Sequence, residues 1–81
     1  MMGGKVIVNQ VSAASYSFDG ERRITVTLAN GQVWRQQDDD SLARWNKPAT
    51  HYLVTITQGA MGSYNLSVPD DAGFYKVRRV R

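Results

Sequence analysis

Ile24-Thr25-Val26-Thr27-Leu28 alternates aliphatic side chains with threonine, and Asn30-Gly31 follows almost at once. Period-2 alternation puts one face of a strand against a core. Asn-Gly is the strongest short-range hairpin signal. Whatever this chain folds into must therefore contain an antiparallel pair around residues 24–36. Two registers compete. A two-residue type I′ loop would set Leu28 opposite Val33 and Val26 opposite Arg35. A three-residue loop, with Gly31 in the left-handed region, would set Leu28 opposite Gln32 and Val26 opposite Trp34. A one-residue slip exchanges the faces of every side chain. Burying Arg35 beside Val26 is costly, while burying Trp34 there is favourable. The three-residue loop is the expected one, with Trp34 in the core and Val33 turned outward.

The same period recurs along the chain. Val6 and Val8 alternate near the start, and residues 12–20 are small and polar, as suits a loop or an irregular edge. Val54 and Ile56 share a face, as do Tyr64, Leu66 and Val68, with Gly59 and Gly62 bracketing the turn between them. Residues 69–73 have strong breaker composition, and a last strand over about residues 74–80 turns Tyr75 and Val77 to one face. Asp38-Asp39-Asp40-Ser41 ends the hairpin. Residues 42–45 predict one helical turn, capped by Asp40 or Ser41 and stopped before Pro48. About five strands joined by tight turns, with one longer connection at residues 37–52, imply an all-β fold. A small SH3-like barrel of antiparallel strands fits best, and an OB-like barrel is the nearest competitor. Residues 1–81 make a single domain.

A chain of 81 residues has a thin core, burying roughly 60–65% of its unfolded surface. There is no cysteine, which excludes disulfides and thiolate metal sites. No apolar stretch approaches the roughly 20 residues of a helical membrane span. No secretory leader is visible at the Met1-Met2-Gly3-Gly4 start, and a leader removed before it stays open. The net charge of +3 is unevenly placed. Lys76, Arg78, Arg79 and Arg81 stand together with no acid among them, while the other six basic residues face seven acidic ones. The basicity belongs to the last strand.

Leu28-Ala29-Asn30-Gly31-Gln32-Val33-Trp34-Arg35-Gln36 is followed by Val54-Thr55-Ile56, by Gly59-Ala60-Met61-Gly62-Ser63-Tyr64 and by Lys76-Val77-Arg78-Arg79-Val80. In this order and spacing, residues 24–81 resemble a signature of short uncharacterised bacterial proteins. The resemblance implies a small β-barrel, often exported to the bacterial envelope, with no named activity. Periplasm is the location it implies, with cytoplasm as the alternative. Residues 38–52 depart from the pattern, which singles out Trp45.

No catalytic constellation assembles from these residues. His51 is the only histidine and reads as a surface residue beside Tyr52. Asp38, Asp39 and Asp40 break the calcium-loop pattern, with Ala43 and Ala49 at its sixth and twelfth positions, and read as a solvated charge run. Gly59-x-x-Gly62 is too short for a phosphate cradle. No cofactor or metal is expected, and the chain is expected not to be an enzyme. Two candidate binding regions remain. Arg44, Trp45 and Tyr52 would form an aromatic contact patch, since aromatics and arginine are the usual anchors. Trp45 reads equally as a lid over one barrel end. Lys76, Arg78, Arg79 and Arg81 would either protect an edge strand from association or track a phosphate backbone, with Phe74, Tyr16 and Tyr52 as stacking groups. The leading expectation is an interaction module for a protein or peptide, using an open sheet edge or an aromatic groove. Weak, sequence-tolerant nucleic-acid binding is the alternative, and a structural or assembly role the third.

Overall fold

A computed structural model of the chain describes residues 5–37, 42–71 and 73–81, with Ala60 through its backbone only. Strands β1 (Lys5–Phe18), β2 (Ile24–Leu28), β3 (Val33–Gln36), β4 (Leu53–Gln58), β5 (Tyr64–Ser67) and β6 (Tyr75–Arg79) close into a barrel in the order β1-β2-β3-β6-β5-β4. Every ladder is antiparallel. The small antiparallel barrel is as expected, with six strands rather than about five. It consists of two three-stranded meanders, β1-β2-β3 and β4-β5-β6, joined through the β1–β4 and β3–β6 ladders.

The central hairpin takes the expected register. Val26 faces Trp34, the Leu28 N–H donates to the Gln32 carbonyl at 2.8 Å, and Gly31 sits at φ +91°. Asn30 reinforces the turn by accepting the Gln32 N–H at 3.0 Å. Trp34 is buried, its Nε1–H donating to Gln32 Oε1 at 3.0 Å and its ring meeting Tyr64 edge-on at 5.3 Å. Ile24, Val26, Leu28, Val54, Ile56, Leu66, Val68, Tyr75 and Val77 fill the barrel, each on an inward position of its strand or just past its end.

Residues 12–18 are not a loop: β1 runs through them. Its first half pairs with β4 and its second half with β2. Register shifts between Val6 and Val8, between Val8 and Val11, and between Ala13 and Ser15 bend it around the barrel, as bulges do. Gln10 takes a positive φ of 52° at one of them. These shifts break the period, so the buried positions are Val8 and Ala13 rather than a continuous alternation.

The helical turn is also displaced. Residues 42–46 are irregular, and the 3₁₀ turn lies after Pro48, at Ala49–His51. Proline fixes φ and favours the first position of a turn rather than its interior. The expected caps Asp40 and Ser41, and the Asp38–Asp39–Asp40 charge run, lie outside the described residues. Among the described residues, no helix is long and apolar enough to cross a membrane.

Gly31 and Gly20 separate conformational cost from crowding. A Cβ at either would meet no atom within 4 Å, yet only Gly31 holds a left-handed φ. Gly31→Ala is expected to destabilise the fold by about 1–2 kcal/mol, with Gly20→Ala within about 0.5 kcal/mol of the parent, as read by urea denaturation. Equal midpoints for the two variants would remove the left-handed loop.

Candidate functional site

The aromatic patch expected around Trp45 is folded inward. Trp45 and Tyr52 are only 6% and 4% exposed. Their rings stack at 4.2 Å with 13° between planes. Tyr16 meets both edge-on, at 5.2 Å and 5.8 Å. Trp45 is therefore a lid over one barrel end, and Tyr52 is its floor, not an exposed stacking group. The lid is fastened through hydroxyls. Tyr52 Oη accepts the backbone N–H groups of Asn46 at 3.0 Å and Lys47 at 3.2 Å. Tyr16 Oη donates to the Lys47 carbonyl at 2.7 Å. Burial, then the neighbouring Tyr52, pushes the Tyr16 phenol above its ordinary pKa.

Beside the lid lies a cleft of about 430 Å³ between residues 42–47 and the turn carrying Asp70 and Asp71. Arg44 lines it with Lys47, so the wall carries both signs of charge. Both aspartates are engaged. His51 pairs through Nε2 with Asp70, giving the lone histidine a partner that sequence reading did not supply. Tyr75 donates its hydroxyl to Asp71. Burial first, and Asp71 second, raise the Tyr75 phenol, so it remains a donor.

The basic residues of the last strand do not form one cluster. β6 is flanked on both sides, by β3 and by β5. It is not an edge, and its charges have no edge to protect. Lys76 and Arg78 point outward, while Arg79 occupies the alternate register opposite Trp34 and donates from Nε to the Arg81 carbonyl at 3.0 Å. Arg81 is tied to β3 by its backbone, through Val33.

Arg78 stands directly across from Arg35 on β3. Together with Arg23, Gln36 and Gln37 they line a groove of about 250 Å³ where the chain entering β2, the end of β3 and β6 meet. Gln36 is the one buried polar side chain among the described residues, and its Oε1 accepts the Ile24 N–H at 3.2 Å. The rim is set by Asp19. Its Oδ1 accepts the N–H groups of Glu21 at 2.8 Å and Arg23 at 3.0 Å, and its Oδ2 pairs with Arg35 Nη2 at 3.1 Å. The Arg23 N–H, then the Glu21 N–H and the Arg35 guanidinium, hold the Asp19 carboxyl below its ordinary pKa, outweighing desolvation. Sequence reading named Arg78 but missed Arg23, Arg35 and Gln37 as its companions.

Of the expected stacking groups, Tyr52 is buried and Tyr16 half-buried beneath the lid, while Phe74 is 60% exposed. No family model, curated protein or solved structure matches the chain.

Tyr52→Phe leaves the Asn46 and Lys47 N–H groups without their acceptor. It should cost about 1–2 kcal/mol and speed hydrogen exchange at those amides; unchanged exchange would mean the lid is held otherwise. Asp19 has a depressed folded pKa. Its contribution is therefore present above its ordinary value of 3.8 and lost as pH falls through the lower folded value. Asp19→Asn should melt lower than the parent at pH 7, with the two converging well below pH 3.8. A gap constant with pH would show that charge plays no part.

Proposed function

We propose that the chain is a non-enzymatic interaction module that binds an acidic protein or peptide through the basic outer face of β3 and β6. One observation carries this reading: Arg78 and Lys76 project from a strand paired on both sides, so edge protection does not account for them. Guanidinium groups form planar, two-pronged contacts with carboxylates. Arg78 has no ion-pair partner among the described residues. The same strand pairing argues against addition of a partner strand to β6, because that mode needs a free edge.

Nucleic acid is the second reading, and the aromatic rings weigh against it. Sequence-tolerant binding to single strands rests on bases stacking on exposed rings. Tyr52 and Trp45 are stacked on each other beneath the surface, which leaves Phe74 just before β6 and, less exposed, Phe18 at the end of β1. A location in the bacterial envelope, as the sequence resemblance implies, would fit a protein partner better than a nucleic-acid one.

The test is fluorescence anisotropy at about 50 and 200 mM salt, the range over which charge-driven contacts weaken most. The probes are labelled polyglutamate, single-stranded DNA and an inorganic polyphosphate of the DNA's charge. Polyglutamate should bind at low salt and lose at least tenfold in affinity in the Lys76→Ser, Arg78→Ser double variant. DNA should bind no better than polyphosphate. Absence of polyglutamate binding would sink the proposal. DNA binding well above polyphosphate would mark recognition of bases and transfer the function to nucleic acid.

A further inference from the structure

The groove lined by Arg23, Arg35, Gln36, Gln37 and Arg78 contains two destabilising features that a free surface does not explain. Arg35 and Arg78 are direct cross-strand partners, and like charges placed opposite one another repel. Arg23 Nε is buried with no hydrogen-bond partner among the described residues, and a buried donor left unpaired costs free energy. Arg23, Arg35 and Arg78 all line one concave site of about 250 Å³.

The donors around it are held in place. Asp19 positions Arg35 from the rim at 3.1 Å, and Glu21 approaches Arg23 at 3.6 Å. Gln36 is anchored by the Ile24 N–H, and Gln37 by its own backbone N–H to the Lys76 carbonyl at 2.8 Å. No carboxylate is among the lining residues described. Every lining side chain carries N–H donors, and the arginines carry only donors. A group with acceptors and negative charge would relieve the Arg35–Arg78 repulsion and offer the guanidinium donors that line the groove an acceptor.

We propose that this groove receives a single oxyanion group, a carboxylate or phosphoryl group carried by the partner. The proposal rests on reading the basic face as the contact surface and names the chemistry that the face recognises. Carboxylate and phosphoryl share the acceptor geometry that matches a guanidinium fork; their sources differ, and the measurement separates them.

Inorganic phosphate and acetate are titrated separately into the isotope-labelled chain at constant ionic strength, with the arginine Nε–Hε resonances observed by NMR. Saturable shifts at Arg23, Arg35 and Arg78 with at least one of the anions are the expected result. Phosphate alone identifies a phosphoryl group and acetate alone a carboxylate. Arg78→Gln, an exposed position in the parent, should retain the dispersed spectrum and weaken the binding at least fivefold. Shifts that grow linearly, that spread equally to Arg44 and Arg22, or that survive Arg78→Gln unchanged would overturn the proposal. Polyglutamate binding separates the two readings. If polyglutamate binds but neither phosphate nor Arg78→Gln disturbs it, the groove fails and the acidic-partner reading stands. If phosphate saturates the groove while polyglutamate does not bind, the groove stands and the broader reading fails.

Discussion

The barrel depends on one strand belonging to both meanders. β1 pairs with β4 through its first half and with β2 through its second. A straight strand could not curve from one neighbour to the other, and the register shifts along it are what allow the turn. Those shifts determine which β1 side chains enter the core, bringing Val8 and Ala13 inside. They also place Tyr16 at the barrel end where Tyr52 and Trp45 meet it. The Ala13 N–H donates to the Tyr52 carbonyl at 2.9 Å, so the strand that closes the barrel also seats the floor of its lid.

The second seam, β3 against β6, makes the outer surface chemically uneven. It brings a residue of the central hairpin opposite a residue of the last strand, and both are arginine. Neither meander contains the groove alone. Arg23 and Arg35 come from one, and Arg78 from the other. The interior tolerates this surface because alternation sends Trp34, Gln36 and Val77 inward between the outward cations. Among the described residues Gln36 is the exception to an apolar interior, and its amide oxygen satisfies a backbone N–H at the start of β2.

The hairpin was legible in the sequence because an energetic contrast decided it. Only one register buried Trp34 and spared Arg35, and Val26 does face Trp34. The alternation of β4, β5 and β6 was legible for the same reason, each burying one face. β1 was hidden because its bends break the period on which such reading rests. The lid was half legible: Trp45 stood out, but its burial comes from stacking on Tyr52 beyond an intervening proline, and no local pattern records that. The groove was least legible. Arg78 drew attention through its charged neighbours in sequence, whereas its partners across the sheet are fixed by a pairing between distant strands.

Two meanders joined by a single connection, and held together by two seams, have a topological consequence. Both seams are antiparallel and unite strands far apart in sequence. Each meander carries its own hairpins, so it can assemble from near neighbours before either seam forms. At that stage it presents the pairing edges of β1 and β3, or of β4 and β6, to whichever complementary half arrives first. A second copy of the chain offers the same edges at the same register. In a barrel built this way, exchange of half-barrels between two chains would use the same two seams as closure within one.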